Sequence, residues 1–413
     1  MAVHVGDAAL PRCTDLSRDF APGLSVGIDT EIHTDLAAVE SEWRSFEQVA
    51  EGTPFQTFGW LAAWHRHIGA PDGVVPAIAV GRFADGRMAF LLPLAVEPRR
   101  SARRLCWLGQ ELCDYNAPLL ARDFSQRVAP GRFVALWHEL LRQLQSDPQL
   151  HHDWVDFEKM PQTVGVQINP FTYLGVTPNA NSAHIAQLGD DWETFYRSTR
   201  SSATRRRDRA KCRRMAEYGD IRFVTAANAD EARRTLKILM DQKSRALARK
   251  GIADMFARPG YREFFLDFAS NPATRQLTHV SRLEIGTTFA AVNFAIAFGD
   301  CYYHVLASYC DGQLTRHGPG ALHLRELMAY AIKRGMRRFD FTIGDERYKN
   351  EWCDLRLKLC DYSAPATWRG VPASAAAKVR RRVKRFIKQT PLVWRLVSQL
   401  RSAFGALTQL RTS

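Results

Sequence analysis

The segment Gly344-Asp345-Glu346-Arg347-Tyr348-Lys349 gathers two carboxylates, a phenol and an ammonium in one short loop. Such a set can move protons at a nucleophile: a carboxylate takes one from the attacking group, and Tyr348 or Lys349 returns one to the leaving group or holds an anionic substrate. The bland alternative is a solvated loop with one surface ion pair. Just upstream, Asp340 stands between Phe339 and Phe341, either a hydrogen-bonded buried carboxylate or a substrate contact. A third feature is Gly318-Pro319-Gly320. Glycines let the backbone approach a ligand, and a helix beginning there offers unpaired N–H groups and a positive dipole end, which suits a phosphate. An ordinary turn into a helix is the competing reading.

The elements that must position these residues are legible. Leu322, Leu324, Leu327, Met328, Ala331 and Ile332 recur at helical spacing, and Gly335 ends the helix. Residues 338–342 alternate as a strand and deliver the chain to the 344–352 loop, closed by Trp352. Before the glycine turn, 289–298 and 301–308 read as a hairpin around Gly299-Asp300.

The order strand, strand, glycine turn, helix, strand resembles the core of GNAT acyltransferases, in which the turn holds an acyl-CoA pyrophosphate. The run from Gly318-Pro319-Gly320 through Phe339-Asp340-Phe341 to Gly344-Asp345-Glu346, Tyr348-Lys349 and Trp352, with Thr53–His65, is similar to the CelD/BcsL-type acetyltransferases, which carry a BioF-like acetyltransferase domain and are related to FemAB peptidyltransferases. The resemblance implies acyl-CoA as co-substrate, acetyl-CoA foremost, held by His317, Gly318, Gly320, Ala321 and Leu322. It implies direct acyl transfer to a sugar, polysaccharide-precursor or lipid-linked acceptor, with Asp345, Glu346, Tyr348 and Lys349 catalytic and Asp340, Trp352, Arg205 and Arg206 at the substrate. With Gly320 as the central glycine, His317 stands where the general GNAT turn has Gln or Arg. The alternatives are a FemAB-like aminoacyl transferase using charged tRNA, and a non-catalytic binding protein of the same fold.

The chain of 413 residues, 46% hydrophobic with 10 Trp, is long enough for two domains with real cores. Residues 26–180 repeat the grammar of 181–365, so the expected fold is α/β with mixed sheets: a degenerate N-terminal GNAT-like lobe and an acyl-CoA-binding C-terminal one. The polar stretch Pro178–Ser182 reads as the join. Residues 1–25 read as a loose leader. No apolar run reaches bilayer length and no signal-peptide pattern is present. The eight Cys form no C-x-x-C pair, so no metal site and a cytoplasmic place are expected.

Of the net charge of +14, +8 lies in residues 197–214 and +7 in 378–388, which leaves the rest at −1. The first segment could meet CoA phosphates, RNA, or only water. RNA is not favoured, because no aromatics interleave with the arginines. The tail, 366–413, pairs cations with Val379, Val383, Phe386, Trp394, Leu396 and Phe404. It suits peripheral contact with an anionic membrane through 373–410, or packing on the body or on another subunit. The sequence does not set the oligomeric state.

Overall fold

Residues 27–99 and 101–390 are described by the structure, a computed structural model. Strand β1 (Ile28–His33) leads into α1 (Leu36–Glu47), capped by Asp35, and α2 (Phe58–Trp64), capped by Thr57. A meander follows: β2 (Val75–Phe83), β3 (Met88–Arg99) and β4 (Ala102–Trp107). Then come α3 (Pro130–Ser146) and β5 (Trp154–Pro161).

The second half repeats the order. It runs β6 (Thr177–Gln187), α4 (Trp192–Thr199), α5 (Ser202–Ala216), β7 (Ile221–Thr225), α6 (Ala229–Arg249) and α7 (Tyr261–Ser270). It continues as β8 (Thr278–Ile285), β9 (Thr288–Phe298), β10 (Cys301–Tyr309), α8 (Pro319–Lys333), β11 (Arg338–Ile343), β12 (Leu355–Pro365) and α9 (Gly370–Gln389). Side chains of Asp191, Ser201 and Asn228 cap α4, α5 and α6.

These strands form one mixed sheet in the order β1-β2-β3-β4-β5-β12-β6-β11-β10-β9-β8-β7. The order is a palindrome in direction as well as position. Three antiparallel pairings run in from each edge, then one parallel pairing (β4 with β5, β10 with β11), then antiparallel pairings through the centre. The two central strands are exchanged. After β5 the chain crosses to β6, which pairs with β11; after β11 it returns to β12, which pairs with β5. Each half therefore completes the other's sheet.

The expected join is corrected here. Pro178–Ser182 lie inside β6, paired to β12, and are not a linker. Their polarity reflects side chains with partners, Asn179 donating to Asp361 at 2.7 Å and Asn181 accepting from Lys388, and not chain freedom. One apolar cluster also spans both halves. Trp60 of α2 packs edge-on against Phe264 and Phe268 of α7, at 4.8 and 5.0 Å between ring centroids. Burial of each such ring contributes about 2–3 kcal/mol, so the halves stabilise one another. The tail helix expected over 373–388 is α9. The leader and residues 391–413 lie outside the described residues. No helix among the described residues is long and apolar enough to cross a membrane.

Candidate functional site

The two parallel strand pairs are forks. In the first half β4 and β5 pair at Arg104↔Trp154 and Leu105↔Val155 and then part. Aromatic rings fill that fork: Phe171 sits 5.1 Å from Trp107, 5.5 Å from Phe157 and 5.2 Å from Trp137, fully buried. In the second half β10 and β11 pair from Cys301↔Arg338 to Tyr303↔Asp340 and then part. Polar groups fill this one.

Asp340 sits at the crotch of that fork. Its carboxylate accepts from the Tyr115 hydroxyl at 2.7 and 2.9 Å and from the Thr342 N–H at 2.7 Å. Burial pushes the carboxyl up to about 7, and the Asp114 charge adds to the rise, while the Tyr115 and Thr342 hydrogen bonds oppose it. Thr342 takes φ 57° where the β11–β6 register slips, an unusual backbone for a β-branched residue. Around the carboxylate stand further charges. Lys349, buried, donates to Thr342 O at 3.4 Å and Ile343 O at 3.1 Å and pairs with Glu346 at 2.9 Å. Burial pushes Glu346 up, yet the Lys349 ammonium, a backbone hydrogen bond and the Lys243 charge together hold that carboxyl below the usual range. Burial raises Asp114 and lowers Lys243 of α6. His304, buried on β10, is driven down to about 3 and stays neutral; its Nδ1 has no hydrogen-bond partner among the described residues.

The first half supplies one wall. The loop after β4 carries Asp114 and Tyr115. Lys159, at φ 58°, fixes it by donating to the carbonyls of Glu111 and Cys113. Gln56 donates to Tyr115 O at 2.7 Å, and Phe55 packs on the Tyr115 ring at 5.7 Å. The aromatic stretch Thr53–His65 thus buttresses the site from behind.

At the far end of β10 stands the glycine turn. Gly318 (φ 73°) is the N-cap of α8, with Pro319 in its first turn, and no side chain caps this helix. A Cβ on Gly318 would lie 3.9 Å from the Lys211 ammonium of α5. Arg316 donates to Tyr218 OH at 2.9 Å and to the buried His317 ring at 3.2 Å. A Cβ on Gly320 would press on Tyr309 at 3.3 Å. Of the first-turn donors only the Gly320 N–H is left without a backbone partner among the described residues, because Pro319 has no N–H and Ala321 and Leu322 bond Gly318 O; that N–H, the positive helix end and two cations fit an anionic phosphate. Leu322 is buried beneath the turn, and Ala321 donates its N–H to Gly318 O at 3.1 Å. At the other end Gly335 (φ 75°) closes α8, with Met336 N–H bonded to Ala331 O and Gly335 N–H to Ile332 O.

The expected catalytic loop is split by the fold. Glu346 and Lys349 face the fork. Asp345 turns to the other side, 3.4 Å from His184, 3.8 Å from Arg356 and 3.7 Å from Lys388. Tyr348 packs beside Phe341 at 6.0 Å. Two substrate contacts expected from sequence are packing residues. Trp352 is buried among Trp192, Phe195 and Tyr196 with Arg200 over its ring at 4.8 Å, so it offers no free face. Arg205 donates to Arg197 O and Arg200 O, closing the end of α4. Arg206 is exposed on α5. Sequence reading missed Asp114, Tyr115, Lys243, His304 and the aim of Lys211. The 113–119 stretch carries the Asp and the Tyr, but nothing local names Asp340 as their partner. Among the described residues no group of His, Cys, Asp or Glu could hold a metal ion.

Residues 202–350 match the family model described as acetyltransferase (GNAT) domain. Among solved structures the chain is similar to one titled crystal structure of FemX, with TM-score 0.56 and 11% identity, over 81% of this chain and 97% of that one. It is also similar to a conserved protein of unknown function from Bacteroides thetaiotaomicron, with TM-score 0.50 and 12% identity, over 81% and 98%. At these identities the likeness is one of fold. No curated protein matches the sequence. The second half of the chain is thus similar in sequence to the GNAT acetyltransferase domain, and the described fold as a whole is similar to that of the FemX structure.

Proposed function

We propose that the protein is an acyl-CoA-dependent acyltransferase that works at the β10–β11 fork. The observation that carries this is the contrast between the two forks: rings fill the first, whereas the second joins a helix N-terminus that no side chain caps, with Lys211 beside it, to a buried carboxyl of pKa about 7. The donor's phosphates would lie at Gly318, Gly320 and Lys211, with its thioester directed down the fork. Asp340, ionised, takes the proton of an acceptor amine or hydroxyl; Tyr115 and Thr342 hold it in place. The new C–N or C–O bond replaces C–S, and Lys349 can return a proton to the departing thiolate. The acceptor enters from the side of Asp114 and the 344–349 loop. A sugar, polysaccharide-precursor or lipid-linked acceptor of the CelD/BcsL kind, with acetyl as the acyl group, is the finer reading; it rests on the motif resemblance.

Calorimetric titration of acetyl-CoA tests this reading. Binding should weaken about tenfold in Lys211→Glu, the size expected for one charge-assisted phosphate contact. Gly318→Val should abolish it by straining the turn. If the wild type bound neither acetyl-CoA nor longer acyl-CoAs, weight would pass to the aminoacyl-tRNA-dependent reading, which the fold of the FemX structure keeps in view. Charged tRNA would then be the next ligand to titrate.

A further inference from the structure

Helix α9 lies across the sheet with its two long faces in opposite surroundings. Its inner face is tied down. Arg381 pairs with Asp156 and Glu158 at 2.9 Å each and reaches Asp361 at 3.7 Å, while Ser374 is buried against Ser363. Arg385 donates to Pro178 O. These contacts fix which side looks outward, and that side is apolar. Val379 is 57% exposed, Val383 50% and Phe386 63%, at i, i+4 and i+7; Trp368 (82%) and Val371 (52%) lie at the start of the helix. Exposed apolar side chains at this spacing on one stripe are not scattered surface residues. Lys378 and Arg382 flank the stripe on one side, and on the other stand Lys384 and Arg380, the latter also paired with Glu158 at 2.8 Å.

We propose that this outer face of α9 docks on an anionic lipid surface, with Val379, Val383 and Phe386 entering the headgroup boundary and the flanking cations meeting acidic headgroups. Charge decides among the possible occupants. Residues 391–413 carry Arg395, Arg401 and Arg411 and no Asp or Glu. Folded onto α9, they would add cations to cations. A second copy docked face to face would do the same, because a two-fold interface sets a patch against itself. An acidic bilayer surface supplies the apolar and the negative component together. The C-terminal end of α9 also touches the candidate acceptor loop, through Lys388 with Asp345 at 3.7 Å, and the same ammonium donates to Asn181 of β6. A docked helix would therefore hold that loop at the lipid surface. Docking itself does not depend on the acyl-transfer reading.

The test is sedimentation of the full chain with vesicles of phosphatidylglycerol and phosphatidylcholine, against vesicles of phosphatidylcholine alone. The full chain should sediment with the first and not with the second. The exposed-face variant Val383→Asp/Phe386→Asp should lower the partition by about 10-fold or more, as expected when apolar anchors are replaced by charge, with an unchanged melting temperature. A chain ending at residue 390 should still bind, and should lose binding on the same double substitution. Four results would overturn the proposal. They are no anionic-vesicle binding by the full chain, equal binding by the double variant, binding that appears only after removal of 391–413, and a concentration-dependent dimer that the double variant abolishes.

Discussion

Asp340 holds a carboxylate where a carboxylate is costly, and that cost sets its chemistry. A base matched to neutral pH must lose its proton near neutrality, and burial brings Asp340 to about 7. The turnover rate should therefore rise with pH and level off above about 7, if Asp340 acts ionised. Asp340→Asn should remove that limb and lower kcat by about 10²- to 10³-fold, with acyl-CoA affinity by calorimetry unchanged because the proposed phosphate site is at the far end of β10. Tyr115→Phe makes a sharper test. The Tyr115 hydroxyl stabilises the ionised form, so its loss should move the limb to higher pH. A limb that stayed put would remove Asp340 from the mechanism. Asp340 was conspicuous in the sequence as a lone carboxylate between phenylalanines. Tyr115 lies 225 residues away, and no local pattern connects the two.

At the scale of elements, the two halves differ in what fills equivalent forks. Phe171 plugs the first, where it is fully buried against Trp107, Trp137 and Phe157. Phe171→Ala should cost about 3–5 kcal/mol in urea unfolding, through lost transfer energy and a cavity, without creating an acyl-CoA site. The α1–α2 corner carries another buried carboxyl. Glu47 accepts from Phe58 N–H at 2.7 Å, and burial pushes it up to about 7. Its folded pKa is raised above the unfolded one, so its contribution to stability is full at low pH and is lost as pH rises toward 7. Glu47→Gln should flatten that decline and raise Tm at pH 8 by about 2 °C or more, with little difference at pH 4. Helix α8 and its glycine limits were readable because period and cap chemistry are local. The fill of each fork was not, since Phe171 arrives there from the loop after β5.

The whole molecule is a palindromic sheet whose halves exchange their central strands. Neither half has a complete sheet alone, and Trp60, Phe264 and Phe268 share one core. Thermal unfolding should accordingly be a single calorimetric transition, with no separate melting of either half. A chain ending at residue 353 should fail to give soluble folded protein, because β5 and β6 would both lose β12; two well-separated transitions in the full chain would argue against this coupling. The sequence by itself determined the repeated order of elements, the glycine turn before α8, the strand that carries Asp340 and the two basic segments. Each rests on period, turn residues or local charge. Tertiary structure alone decided that Pro178–Ser182 is a central strand, that Asp345 and Trp352 turn away from the fork, that Asp114 and Tyr115 enter it, and which face of α9 looks outward. Those outcomes depend on contacts across the sheet between residues far apart in the chain, and local pattern carries no record of such partners.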